Sequence, residues 1–193
     1  FNEYFELLGS VRYDRFETNY RDFGTAPVTN LSRTDDMVNW RVGGVFHPTH
    51  HSSVYAAYGV SHNPAGEFQT LSSAATNAAN VLLAPERNTT LEVGAKADVL
   101  DGKLTLSGAV FRIEKTNLRI PIDPATNTAL VLDGLARVDG IELGVQGKLT
   151  DQWSLFAGYS YLDSKIVNTT DLSQLGSELP NTPPHNFTLW STY

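Results

Sequence analysis

The chain has no cysteine among its 193 residues, which removes any disulfide framework or thiolate metal site. Positive charge is scarce too: 14 Lys and Arg stand against 21 Asp and Glu, for a formal net charge of -7. A surface of that sign repels phosphate backbones, so no nucleic-acid partner is expected. No apolar run approaches the roughly 18–20 residues of a membrane helix, and mean hydropathy is -0.22. That excludes helical spanning only, because a spanning strand leaves a far weaker trace. A Met and a signal peptide are also missing before Phe1, and Tyr193 falls inside a strand-like stretch. The sequence therefore reads as an internal piece of a longer protein.

What is present is alternation. Leu91, Val93, Ala95, Ala97 and Val99 alternate with Thr90, Glu92, Gly94, Lys96 and Asp98. Ile141, Leu143, Val145 and Leu149 are set against Glu142, Gly144, Gln146 and Lys148. A period of two sends successive side chains to opposite faces, giving strands with one apolar and one polar side.

Eight such strands are predicted: Tyr4–Asn19, Met37–Phe46, Ser53–Ser61, Thr89–Val99, Lys103–Asn117, Val138–Leu149, Trp153–Ile166 and His185–Tyr193. Their further apolar sets are Phe5, Leu7, Val11, Tyr13; Val38, Trp40, Val42, Phe46; Val54, Ala56, Tyr58, Val60; Trp153, Leu155, Ala157, Tyr159, Tyr161; and Phe187, Leu189, Tyr193. The fifth strand offers two competing sets. Its hairpin signal, Asp101-Gly102, places Val99 opposite Leu104, so Leu104, Leu106 and Val110 are expected outward.

Short connections at His47–Ser52, Asp101-Gly102 and Thr150–Gln152 alternate with long ones at Tyr20–Asp36, His62–Asn88, Leu118–Arg137 and Val167–Pro184. Every second connection is long, which puts all the long ones at one end of the sheet. Compact soluble domains rarely carry several loops beyond about 12–15 residues, whereas outer-membrane barrels pair short periplasmic turns with long extracellular loops. A soluble β-sandwich shows the same alternation. Against it stand aromatics near strand ends (Trp40, Phe46, Trp153, Tyr161, Tyr193) and ionisable residues deep in the polar set: Arg12, Asp14, Arg41, Glu92, Lys96, Glu142 and Lys148. An all-β, transmembrane antiparallel meander of about eight strands, part of a β-barrel, is the expected fold.

Several stretches then resemble one family. They are Leu83-Ala84-Pro85-Glu86-Arg87 leading into Leu91–Lys96, Phe111–Asn117, Arg137–Gly144, Gly158–Asp163, and Asn181–His185 before Leu189–Tyr193. In order and spacing they resemble TonB-dependent outer-membrane siderophore receptors of the catecholate type. The resemblance implies a barrel of 22 strands closed around an N-terminal plug domain. Residues 1–193 would be a partial barrel domain from its C-terminal half, with plug and closing strands absent. It further implies a bacterial outer-membrane receptor for TonB-dependent uptake of a ferric siderophore. The implied partners are outer-membrane lipid, the ferric siderophore, and the TonB complex through the missing plug. No enzyme activity, cofactor or metal site is expected. A small complete eight-stranded barrel with a structural or adhesive role is the alternative reading, and a secreted sandwich hydrolase ranks last.

A ferric catecholate is anionic and aromatic, so guanidinium groups and aromatic faces suit it. The loop and rim candidates of those types are Tyr20, Arg21, Phe23, Arg33, Phe68, Arg87, Arg119 and Arg137, diluted by the nearby acids Asp22, Asp35, Asp36, Glu86 and Asp133. His47, His50 and His51 lack carboxylate or sulfur companions in sequence and read as a solvated turn. Ser160 lacks the second glycine of a nucleophile elbow.

Overall fold

The computed structural model describes residues 4–22, 29–64, 84–121, 130–169 and 171–193. These form eight strands: β1 (Phe5–Asp22), β2 (Thr29–Thr49), β3 (Ser52–Asn63), β4 (Glu86–Val99), β5 (Leu104–Pro121), β6 (Leu130–Lys148), β7 (Ser154–Asn168) and β8 (His185–Thr192). They pair in sequence order as one antiparallel sheet. An antiparallel neighbour can follow through a tight turn, and a meander is the simplest such path.

The register bears out the alternation. Val93 lies opposite Val110, Val110 opposite Ile141, and Ile141 opposite Tyr161. Two rows further on, Ala97, Leu106, Val145 and Ala157 follow the same path across the sheet. Partners across a ladder share a face, so the predicted apolar set occupies one side of β4 to β8. Glu92, Lys96, Glu142 and Lys148 take the other. Phe5 stacks on Phe46 at 4.7 Å and Trp40 tilts against Tyr58 at 5.6 Å, continuing the apolar face over β1 to β3. Val60 shares that row but is buried, unlike its exposed neighbours Val54 and Tyr58. Most buried residues, among them Asp35, Met37, Asn39, Glu86, Ala136 and Ser164, belong to the polar face. The sheet curls toward its polar side and leaves its apolar side bare.

The turns follow local chemistry. Asp101 and Gly102 both adopt positive φ, 56° and 79°, and Lys103 N donates to Leu100 O at 3.1 Å. This is the I′ geometry that matches strand twist, and it sets Val99 opposite Leu104 as expected. The β2–β3 turn carries a bulge between Phe46 and Thr49, which tolerates Pro48 in the strand. Gly147 has φ of +132°, and a Cβ there would collide with the Lys103 carbonyl. Only glycine fits.

Strand lengths differ from the expectation at the loop end. β2 begins at Thr29 instead of Met37, β6 begins at Leu130 instead of Val138, and β5 runs to Pro121 instead of Asn117. Much of the predicted loops Tyr20–Asp36 and Leu118–Arg137 is therefore strand, with only residues 23–28 and 122–129 left between the paired elements. The apolar runs from Phe5 to Tyr13, Val38 to Phe46 and Leu91 to Val99 are each about nine residues, the length a tilted spanning strand needs. The strands then continue well beyond them.

The wall gives a direct test. Val145 lies between Leu106 and Ala157 in the middle of the apolar face. In the full-length protein, Val145→Arg should lower the folded fraction, since a mid-bilayer arginine on a barrel costs about 2–4 kcal/mol. Heat-modifiable migration on detergent gels reads the folded form. Wild-type folding of the variant would show that Val145 does not face lipid.

Candidate ligand-facing wall

The polar face is organised by hydrogen bonding between side chains of neighbouring strands. Arg12 Nε donates to Asp14 at 2.7 Å, and Asn39 Nδ2 donates to the same carboxylate at 2.6 Å. Asn39 Oδ1 in turn accepts the backbone N–H of His62 at 2.8 Å. That last bond has a structural cause. The β2–β3 ladder ends at Trp40 opposite Val60, although β2 and β3 both continue. The Asn39 amide takes over where the backbone ladder stops, so the fork leaves no orphaned donor at His62.

Further round the wall, Tyr55 donates to Glu92 at 2.6 Å, its ring lying over Gly94. The Phe111 ring lies over Gly140 in the same manner, so a Cβ at either glycine would enter a ring. Aromatics laid across glycine thicken the wall where two opposed side chains would collide. Phe156 and Trp190 face each other across β7 and β8 on this side and are exposed. They are the apolar exception on the polar face that sequence reading did not single out.

At the loop end lie two carboxylates of low exposure, each with a cation. Arg33 Nε donates to Asp35 at 2.6 Å, and Lys115 Nζ reaches Glu86 at 2.6 Å. Asp35 and Glu86 are each 3% exposed, so their charge persists only because a cation and hydrogen bonds replace water. The Thr18 hydroxyl, opposite Arg33 in the ladder, is buried without a hydrogen-bond partner among the described residues.

The register sorts the sequence candidates. Tyr20 and Arg33 lie on the polar face of β1 and β2, with Thr18 directly opposite Arg33. Arg21 falls in the opposite row. Arg87 and Arg137 share the row of the apolar face, and Arg137 donates twice to Glu114, at 2.9 and 2.7 Å. Arg119 lies within β5, past the bulge at Asn117, and not in a loop as expected. Phe23 and Phe68 lie outside the described residues. Counting in twos from the apolar run would have separated Tyr20 and Arg33 from Arg21, Arg87 and Arg137. Arg119 is different, because the bulge breaks the count. At the turn end, His47 Nε2 sits 3.1 Å from Glu6. Among the described residues no group of three metal-ligating side chains forms.

The β7–β8 connection supplies the loop that the wall displays best. It folds back along β7 where β8 has not begun. Ile166 N donates to Ser177 O at 2.9 Å, Gly176 N donates to Ile166 O at 2.9 Å, and Leu179 N donates to Ser164 Oγ at 3.2 Å. Its own turn is fastened by Asp171, which accepts from Ser173 N, Ser173 Oγ and Gln174 Nε2.

A curved, one-side-apolar antiparallel meander with a hydrogen-bonded polar wall is a segment of a membrane β-barrel, with short turns at one end and longer strands and loops at the other. The comparisons make the class specific. All 193 residues match the family described as TonB dependent receptor-like, beta-barrel. The chain belongs to that family, whose members are bacterial outer-membrane proteins. It is 38% identical over 197 residues to the probable TonB-dependent siderophore receptor PiuA of Acinetobacter baumannii, covering 95% of this chain and 26% of that protein. It is 36% identical to the catecholate siderophore receptor Fiu of Escherichia coli O6:H1, covering 98% of this chain and 28% of that protein. The crystal structure of PiuA superposes with a TM-score of 0.85 at 34% identity, over 98% of this chain and 29% of that one. The chain thus spans about a quarter of the length of these relatives.

Two measurements follow from the wall and its loop. Lys115→Met should destabilise the barrel by up to about 3 kcal/mol, because it strands the Glu86 charge, and Lys115→Met with Glu86→Gln should recover most of the loss. Urea unfolding of the full-length protein in lipid gives both values, and equal losses in the two variants would sink the pairing argument. Hydrogen bonds from Ser173 and Gln174 hold the Asp171 carboxyl below the usual carboxylate range. Its contribution to loop order is complete above the unfolded pKa of about 3.9 and is lost as pH falls through the lower, folded value. Amide exchange at Ser173, corrected for intrinsic rate, should keep its protection at pH 5 and lose it only below about pH 4. Asp171→Ala should remove that protection at every pH.

Proposed function

We propose that the chain forms part of the wall of an outer-membrane receptor that binds a ferric siderophore of catecholate type on the extracellular side. Uptake draws on energy delivered by the TonB complex. The whole-length family match carries this reading, and the names of the relatives at 36–38% identity support it. In this reading residues 1–193 are one partial barrel domain. The plug and the closing strands lie elsewhere in the protein, and the plug is the part that meets TonB.

One structural observation favours a larger barrel over a complete eight-stranded one. β1 pairs only with β2, and β8 only with β7, among the described residues. Both outer edges carry apolar, exposed residues such as Val11 and Phe187. Open backbone edges are not tolerated in hydrocarbon, so further strands must pair with them. An eight-stranded barrel would also fill its own interior and leave no passage.

The wall itself does no covalent chemistry. It spans, encloses, and presents side chains at its extracellular rim. Tyr20 and Arg33, on the polar face there, are the candidates placed to meet an anionic aromatic ligand. Arg33→Gln and Tyr20→Ala in the full-length receptor should each weaken binding of a ferric tris-catecholate about tenfold or more, the size expected when one charge-assisted hydrogen bond or cation–π interaction is removed. Arg15→Gln, on the opposite face beside Glu17, should bind as wild type. Titration by quenching of intrinsic fluorescence reads the affinity. Unchanged binding in both rim variants would remove them from the site.

A further inference from the structure

The row that faces lipid does not end with the apolar run. Immediately past Val110, Ile141 and Tyr161, the same face of β5, β6 and β7 carries six charges. Arg112, Asp139 and Asp163 form the first row, and Glu114, Arg137 and Lys165 the second. Three ion pairs lie within the group. Arg112 grips Asp139 at 2.6 and 3.1 Å, Arg137 reaches Glu114 at 2.7 Å, and Lys165 reaches Asp163 at 2.7 Å. All six side chains remain substantially exposed, from 32% for Glu114 to 54% for Lys165.

The pairing leaves an imbalance between β6 and β7. Asp139 stands directly opposite Asp163, and Arg137 directly opposite Lys165. Like charges placed opposite one another across a ladder are destabilising. The platform therefore holds an acidic pair and a basic pair side by side, about 7 Å apart along the strand. A purely anionic partner would be repelled by the three carboxylates, and a purely cationic one by the three bases. A partner with both signs, separated by one row, satisfies each pair.

We propose that this platform docks a phosphorylated lipid headgroup of the outer leaflet together with the divalent cation that neutralises it. The phosphate lies against Arg137 and Lys165, and the cation bridges it to Asp139 and Asp163. Continuity with the apolar face fixes the level: the charges begin where the hydrocarbon-facing run ends, and headgroups begin there too. Magnesium and calcium take carboxylate and phosphate oxygens together. The inference rests on the outer-membrane placement of the fold and is independent of which siderophore the receptor takes.

The test uses the full-length receptor in detergent with bis-phosphorylated lipid A as the probe. Retention of the lipid is read by native mass spectrometry, with folding checked by heat-modifiable migration. With magnesium present, Arg137→Gln/Lys165→Gln and Asp139→Asn/Asp163→Asn should each lower retention roughly tenfold or more, the factor that two charges at a lipid surface contribute together. EDTA should lower wild-type retention to the same level. Arg15→Gln/Glu17→Gln, the same kind of pair on β1, should behave as wild type. Stronger retention by the acid-neutralised variant, or no effect of EDTA, would reduce the site to simple anion binding and overturn the proposal. Equal retention of phosphatidylethanolamine would overturn it as well. If the double base variant fails to fold, Lys165→Gln alone carries the same expectation at about fivefold.

Discussion

In hydrocarbon an unpaired peptide N–H or C=O costs several kcal/mol, with no water to take its place. The whole chain is organised around meeting that demand through one ladder. Seven antiparallel pairings connect β1 to β8 in sequence order, and departures from the regular ladder carry their own compensation. Where β2 and β3 part beyond Trp40 and Val60, the Asn39 amide receives the His62 N–H. Where β8 has not yet begun, the folded-back loop bonds to both backbone groups of Ile166. Where β5 bulges at Asn117, its side chain donates to Pro85 O at 2.9 Å. These substitutions lie at the loop end, past the apolar runs. Within the runs the ladder itself is kept.

Once the backbone is committed to a single curved sheet, the two faces are free to differ. The outer one needs only apolar area, and small residues such as Ala95, Ala97, Gly108 and Ala157 serve there as well as large ones because lipid conforms to any relief. The polar face has no such tolerance. Its side chains must fit one another, which is why Tyr55 and Phe111 lie over Gly94 and Gly140, and why Arg12, Asp14 and Asn39 share hydrogen bonds. A one-residue slip of any strand would exchange these roles at every position. The contrast between faces is therefore what holds register, more than the intrinsic strength of any pair.

That same contrast decided what could be read from the sequence. Inside the runs of about nine residues, alternation was legible, and strand identity, pairing and face followed from it, including the fifth strand once the Asp101-Gly102 turn set its phase. Above the runs both faces are polar, so the period of two loses its signal. Thr29 to Asp36 and Leu130 to Arg137 then look like loop, although pairing with β1 and β5 makes them strand. The site residues suffered from the same loss. Residue type suggested arginines and aromatics, but face depends on parity carried up from the apolar run. That parity places Tyr20 and Arg33 on the polar side and Arg137 on the other. At Arg119 even parity fails, because the bulge at Asn117 inserts a residue whose positive φ of 58° no composition rule announces.

Parity also separates the charged residues of the rim into two populations with different surroundings. On the polar face, Asp35 and Glu86 are nearly buried, so their cations are required wherever the carboxylates stay ionised. On the opposite face, Asp139, Glu114 and Asp163 keep much of their exposure, and their pairs contribute little to stability at such positions. Selection for folding alone would account for the first population and would be indifferent to the second. A dense two-row block of opposed charge, placed at the level where hydrocarbon gives way to headgroups, is better explained by what it touches than by what it stabilises.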